Sequence, residues 1–441
     1  MLLLKNGFVL NNELGQFEQK DVLVQDGVIT KISENIEVHC ETVDCTNQFL
    51  IPGLIDMHVH IKKQFAPYFT AAGITTVRNT AGSVLELNEM MQAPMTSITP
   101  QVISADRMMD GPPGLWGDES PYNINIDEEQ AAREEVKRQV NLGADFIKVY
   151  GWLSKEIMEV VVDEASKFGR EVSTDVLYAT KVNAIDAAQI GITWLEHASG
   201  VIQAMYPNWN AMSSEELFKE IPWHEPDEQK IQAVCKELLN YNVKLCPTLT
   251  LYDQFKRGEH YWKPNHEVVE HALSHTSLEQ QWAPNAAANR GQKQFGVQMK
   301  TVAKIAYEYA KLGGIVVTGT DTPAGIYTYP GIALHRELQL FVEAGFTPFE
   351  ALMCATEHAA QSLHIENLGA IKQGYIANIV RLTDNPLEQI EHTMSVHSVM
   401  KGGVLYTPQE IFNTVPSSEE MNSYYEQLLQ LFKEHNLPVP M

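Results

Sequence analysis

The sequence predicts an α/β protein: a (β/α)8 barrel of the TIM type with a small β-domain built from both chain ends. Three observations carry this. Short apolar runs alternate with helical periods from residue 53 to 368. Period-two alternation, typical of half-buried antiparallel strands, precedes that stretch and returns after it. Several polar side chains able to do chemistry close the apolar runs, where a parallel barrel places its active site.

Residues 1–52 read as short strands: LLLKNGFVL, then DVLVQDGVITKIS with Gly27 at the turn, then IEVHCETVDC. Over 53–368 the strand candidates are GLIDMHVHI, ITTVRN, QVISAD, FIKVYG, EVSTDV, TWLEHAS, KLCPTLTL and GIVVTGTD. Helical segments such as EEQAAREEVKRQVNLG and MKTVAKIAYEYAKLGG separate them. Several end at a glycine (Gly143, Gly169, Gly313), as left-handed caps do. Eight such strands imply one parallel set whose C-terminal ends share a face. Segments 200–227 and 252–295 exceed ordinary connections and are rich in Trp, Tyr, His and Asn, so they are expected to be lids or binding loops. Residues 369–412, with GAIKQGYIANIVRL and HSVMKGGVLYTP, complete the β-domain. Residues 413–441 read as a C-terminal helical extension: a polar linker, a helix over EEMNSYYEQLLQLFKEH and a Pro-rich end.

A chain of 441 residues, 44% hydrophobic and 20% charged, fits a soluble globular protein with a sizeable core. The formal net charge of −24 argues against nucleic acid and anionic membranes as partners. No apolar run approaches the ~18 residues of a membrane span. The start, MLLLKNGFVLNN, lacks the layout of a signal peptide and reads as a first strand. Five scattered cysteines, none in a Cys-x-x-Cys pair, suit a reducing cytoplasm. A small-molecule substrate is the expected partner, and a homo-oligomer is left open.

The first apolar run ends in His58-Val59-His60. Alternate residues of a strand share a face, so both imidazoles can reach one cation. The spacing alone is weak, but potential ligands recur at later strand ends. Lys148 lies in the apolar ADFIKVYG, where a lysine is costly unless paired or chemically altered. His197 closes TWLEHAS and could equally be a satisfied core histidine. Asp321 follows a very apolar run and could bind an ion and take a proton from its water. Asp175 ends EVSTDV, where helix capping is an equally ordinary role. Arg78 and Tyr150 are candidate substrate contacts, with a structural ion pair the commoner role for such an arginine.

The ordered series PGLIDMHVH, AGITTVRNTAG, GADFIKVYG, IGITWLEHAS, TGTDTP and HRELQLFVEAGFTPFEALMCAT resembles the amidohydrolase superfamily, in the branch of imidazolonepropionases and Xaa-Pro dipeptidase-like enzymes. The resemblance implies one or two divalent ions, zinc first. It implies His58 and His60 as ligands, Lys148 as a carboxylated bridging lysine, His197 as the strand-six ligand and Asp321 as ligand and catalytic acid/base. It implies attack of activated water on an amide carbonyl, with Asp321 passing the proton to the leaving nitrogen. Where relatives carry a strand-five histidine, this chain has Asp175, so the second ion is expected to be weak and the tight one to sit on His58, His60 and Asp321. Asn79 stands where an acid often follows the arginine, which weakens any role borrowed for Arg78. The expected activity is hydrolysis of C–N amide bonds. An Xaa-Pro metallodipeptidase is the alternative, and a catalytically silent small-molecule binder the further one. His271 and His275 read as an exposed helix face; His335 and His358 read as structural.

Overall fold

Both chain ends enter one sheet of eight strands. Across it run Val404–Tyr406, Val396–Lys401, Ile379–Leu382, Phe49–Pro52, Leu2–Asn11, Gln16–Gln25 and Val28–Ser33, with Glu41–Asp44 pairing beside Leu2–Asn11. The two ends join where Ile379–Leu382 runs antiparallel to Phe49–Pro52, Ile379 opposite Pro52 and Leu382 opposite Phe49. Leu4, Val9, Val22 and Ile29 from the start of the chain share an apolar cluster with Ile379 and Met400 from its end. Neither set of strands could bury its apolar face alone. The computed structural model describes residues 1–258, 260–288, 293–325 and 327–439, with the side chains of 285–288 and 293 outside that description.

Between these ends the strands are parallel and lie in two sheets. Leu54–Val59, Ile74–Asn79 and Gln101–Ser104 form one. The other runs Asn123–Asn125, Met108–Asp110, Ile147–Tyr150, Val172–Asp175, Trp194–Glu196, Lys244–Cys246, Ile315–Val316. Single bridges, Val59 with Thr322 and Ala105 with Phe146, link both margins of the three-stranded sheet to the other. The expected single ladder of eight is thus two ladders. All eight predicted runs contribute a strand, and two three-residue strands, Met108–Asp110 and Asn123–Asn125, add to them.

Three expectations need correction. KLCPTLTL is a strand only over Lys244–Cys246; Thr248 turns left-handed (φ 48°), and the helix Leu249–Arg257 begins at once. The Glu337 carboxylate accepts from the backbone N–H of Leu249 (2.9 Å) and Thr250 (2.6 Å), satisfying donors that a helix start leaves open. Segment 252–295 is mainly helical, in Leu249–Arg257, Glu267–His275, Leu278–Ala288 and the start of Lys293–Lys311; residues 259 and 289–292 of it lie outside the described residues. His271 is half-buried rather than exposed, stacked on Phe412 with ring centroids 4.5 Å apart.

The C-terminal helix spans Ser418–Glu434 and packs against Val84–Met91, with the Tyr424 hydroxyl donating to the Glu86 carbonyl at 2.8 Å. Among the described residues no helix is long and apolar enough to cross a membrane.

Candidate metal centre

The strand Leu54–Val59 is buried throughout, so its polar members must find partners inside the protein. Asp56 does so by accepting from Thr320 Oγ1 (2.7 Å) and the Thr320 backbone N–H (3.1 Å), which fastens this strand to the segment leading into Asp321. Burial pushes the Asp56 carboxyl up to about 7. Gly319 allows the close approach, since a Cβ there would lie 2.7 Å from His58 Cβ. The Asp321 N–H then donates to the His58 carbonyl at 2.8 Å. His197, Thr248 and Asp321 all have positive φ (59°, 48° and 59°). Such backbone concentrates at functional sites because the surrounding structure must hold it in place.

Three imidazoles are each held from behind at Nδ1. His58 donates to Glu196 Oε2 (2.6 Å), His60 to the Ala81 carbonyl (3.3 Å), and His197 pairs with Thr248 Oγ1 (2.6 Å). Glu196 and the carbonyl can only accept, so Nδ1 of His58 and His60 carries the proton. Each Nε2 is then turned towards a carboxylate. His58 and His60 meet Asp321 Oδ1 at 3.2 and 2.9 Å, and His197 meets Asp175 Oδ2 at 3.4 Å. Each such encounter is favourable either with a second proton on the ring, donated from Nε2 to the carboxylate, or with a cation in that proton's place. Ligand atoms of His58, His197 and Asp321 all lie within 4.8 Å of one another, which fits a divalent ion. His60 reaches the same carboxylate from beside that group.

Burial lowers His197 to about 4 and keeps it neutral, as a ligand must be. Burial opposes charge on His58 too, but Glu196 and Asp321 outweigh it and hold its affinity for a proton up. Asp321 is buried as well, yet hydrogen bonds from His58 and His60 keep it well below the usual carboxylate range.

Lys148, on the strand Ile147–Tyr150, is 1% exposed, and its Nζ has no hydrogen-bond partner among the described residues. Burial pushes its pKa down, against the pull of Glu196 and Asp175. Asp175, 7% exposed, caps no helix: its Oδ1 accepts from the Leu177 N–H (2.8 Å), and its Oδ2 faces His197. A second cluster, His58, Glu196 and Cys246, is a poor ion site. Burial holds the Cys246 thiol protonated, and Glu196 is already committed to His58 and Arg78.

Arg78 does not contact substrate space. It is 1% exposed, sandwiched between the Phe146 and Trp194 rings (4.0 and 4.1 Å to centroid), and paired with Glu196 Oε1 at 2.8 Å. Glu196 itself was missed in the sequence. Its burial opposes ionisation, but Arg78, Lys148 and His58 hold it well below the ordinary range. Thr248, behind His197, was missed as well.

A cavity of about 390 Å³ opens onto His60, Asp175, His197 and Asp321. Tyr150 lines it, and Met108, Leu115, Trp116 and Tyr122 line it from a segment with no lid signal in the sequence. Phe255 and Phe295 come from the second long segment and Leu251 from just before it, whereas nothing from 200–227 is among its lining residues.

The model of the amidohydrolase family matches residues 49–406. A dihydroorotase from Listeria innocua is 48% identical over 64 residues, 14% of this chain and 15% of that protein. An ochratoxinase from Aspergillus niger is 27% identical over 327 residues, 69% of this chain and 55% of that protein. The chain thus matches well under two thirds of the length of either relative. A solved Xaa-Pro dipeptidase with methionine in its active site superposes with a TM-score of 0.67 at 19% identity, covering 92% of this chain and 99% of that one, which is a likeness of fold. With the family model spanning both parallel sheets and every ligand candidate, the chain belongs to the amidohydrolase family.

Proposed function

We propose that this protein is a metal-dependent hydrolase of carbon–nitrogen amide bonds, holding one or two divalent ions. One observation carries the reading: three imidazoles, each paired at Nδ1, turn Nε2 towards Asp321 or Asp175, so that nitrogen and oxygen donors converge on one place. His58, His60, His197 and Asp321 would hold the first ion, and Lys148 and Asp175 stand beside it for a second. The mixed nitrogen and oxygen donors put zinc first. A divalent ion bound there supplies a water that ionises near neutral pH and a Lewis acid for the carbonyl oxygen.

The chain's own groups do the rest. Asp321 is ionised, lines the cavity and can take a proton and return it to the leaving nitrogen. Lys148, pushed by burial towards its neutral amine, can add to carbon dioxide with loss of one proton. That converts an unpaired buried cation into an anionic oxygen ligand. Glu196 and Thr248 fix the rings of His58 and His197. We read the two parallel sheets as halves of one (β/α)8 barrel, supported by the bridges Val59–Thr322 and Ala105–Phe146.

The test is a screen of the metal-reconstituted protein over lactams, N-acyl amino acids and Xaa-Pro dipeptides, with elemental analysis of the same samples. Turnover that is lost on chelation and restored by a divalent ion supports the reading. Turnover confined to Xaa-Pro dipeptides would make the enzyme a metallodipeptidase. A protein that retains no ion and turns over nothing is a silent binder, and the hydrolase reading falls.

A further inference from the structure

The cavity beside the candidate centre is lined by two groups of aromatic side chains. Trp116 meets Tyr150 edge-on, with centroids 6.2 Å apart and planes at 89°. Leu115 packs with Tyr150 in the same cluster. In the second group Phe295 contacts Tyr178 (centroids 5.5 Å apart) and Phe255 (6.0 Å). All six of these residues line the cavity together with Asp175, His197 and Asp321.

Trp116 is the unusual member. It is 57% exposed, while Tyr150 beneath it is 6% exposed. The turn that carries it is nonetheless built to hold it there. Asp110 accepts from the N–H groups of Gly111 (2.9 Å), Leu115 (2.9 Å) and Trp152 (3.0 Å), tying the turn to the end of the Lys148 strand. Gly114 and Gly117, at φ 85° and 82°, bracket Leu115 and Trp116 with backbone that side chains resist. An indole fixed half in water at the edge of an apolar cavity gains by being covered, and an aromatic group is the partner its face and edge match best.

We propose that the site selects amides bearing an aromatic group on one side of the scissile bond, and that Trp116 with Tyr150 is the surface that receives it. This rests on the hydrolase reading of the same site for its turnover, though not for binding. The tyrosine hydroxyl is not called on as an acid, because burial raises its pKa well above the ordinary value. Trp116 acts on specificity alone: the bond that breaks and the proton that moves belong to Asp321 and the ion-binding groups.

Two matched comparisons test the proposal on the metal-loaded full chain. N-benzoylglycine against N-acetylglycine varies the acyl side, and N-acetylphenylalanine against N-acetylglycine varies the amine side. At least one aromatic member should exceed N-acetylglycine in kcat/KM by about tenfold or more. Trp116→Ala should erase most of that ratio, and Trp116→Phe should restore it. Calorimetric binding of N-benzoylglycine and N-acetylphenylalanine to the wild type and Trp116→Ala separates this inference from the hydrolase reading. Binding that weakens about tenfold in Trp116→Ala without any turnover would keep the aromatic subsite and sink the hydrolase. Hydrolysis with ratios near one, or ratios unmoved by Trp116→Ala, would keep the hydrolase and overturn the subsite. Neither binding nor turnover would overturn both.

Discussion

His58, His60 and Asp321, from the first and last parallel strands, meet at 2.9 and 3.2 Å, and Asp56 and Gly319 lock the two strand ends together. The strands Ile147–Tyr150 and Val172–Asp175 contribute Lys148, whose Nζ has no partner among the described residues, and Asp175, which approaches His197 only to 3.4 Å. Both sides are buried, so burial does not separate them. One side is organised by the chain itself, while the other is left with a polar atom that native interiors rarely tolerate unpaired. On the function proposed above, a modification of that amine, an ion, or both would supply the missing partner. Function on the first side should fail through chemistry, and on the second through occupancy.

The largest effect is expected from Asp321→Asn. The carboxamide keeps an oxygen towards His58 and His60 but accepts no proton at neutral pH. Turnover should fall ~100- to 10,000-fold, with much of the metal retained by elemental analysis. Near-normal turnover at matched metal content would remove Asp321 from proton transfer. Loss of the metal along with activity would make it chiefly a ligand.

Glu196→Gln comes next. The Glu196 carboxylate serves His58 at one oxygen and Arg78 at the other, all three side chains being almost wholly buried. Glutamine keeps the shape and loses the charge that fixes the tautomer of His58. Metal affinity, read by chelator competition, should weaken ~10- to 100-fold. An unchanged affinity in the folded variant would mean that Glu196 serves Arg78 alone.

That the sequence showed His58 and His197 but not Glu196 has a physical reason. A polar side chain that closes an apolar run is visible as a break in pattern, which is why His58, His60, Lys148, His197 and Asp321 could be picked out. Glu196 sits one residue before His197 and reads as a rim acid. Only its pairing with Arg78, 118 residues earlier in the chain, shows that it is inside. The joining of the chain ends was legible because alternation marks strands that need a partner. The cavity segment around Trp116 was not, since three-residue strands such as Met108–Asp110 are too short to show a period. The helix after Cys246 was hidden for another reason: its start depends on Glu337, which is far away in sequence.

Lys148→Met sharpens the contrast from the other side. Methionine fills similar space and removes a buried ammonium that lacks a hydrogen-bond partner. The metal-free protein should gain on the order of 1–3 kcal/mol in denaturant unfolding, because an unsatisfied buried donor costs about that much. The metal-loaded protein should hold fewer ions than the wild type. A metal-free variant less stable than the wild type would show that Lys148 is satisfied by a group that stays without the metal.

Asp175→Ala should have the smallest effect and locates the boundary between the two sides. The ion that His58, His197 and Asp321 can share needs nothing from Asp175, so its occupancy should not change. Beyond these and His60, Asp175 and Lys148 are the groups proposed for a second ion. A carboxylate is a harder ligand than the histidine the family usually places on this strand, so the site should hold zinc less firmly. We expect the wild type to keep one ion through dialysis against a mild chelator, with a second that is weak. Alanine should loosen that second ion by about tenfold, within the range of a lost supporting ligand. Elemental analysis of both proteins across a chelator series measures this directly. Two ions held equally tightly in both would show Asp175 idle at the centre. Loss of the first ion in the alanine protein would show instead that the gap of 3.4 Å between Asp175 and His197 closes when metal binds, and that the two sides are one site.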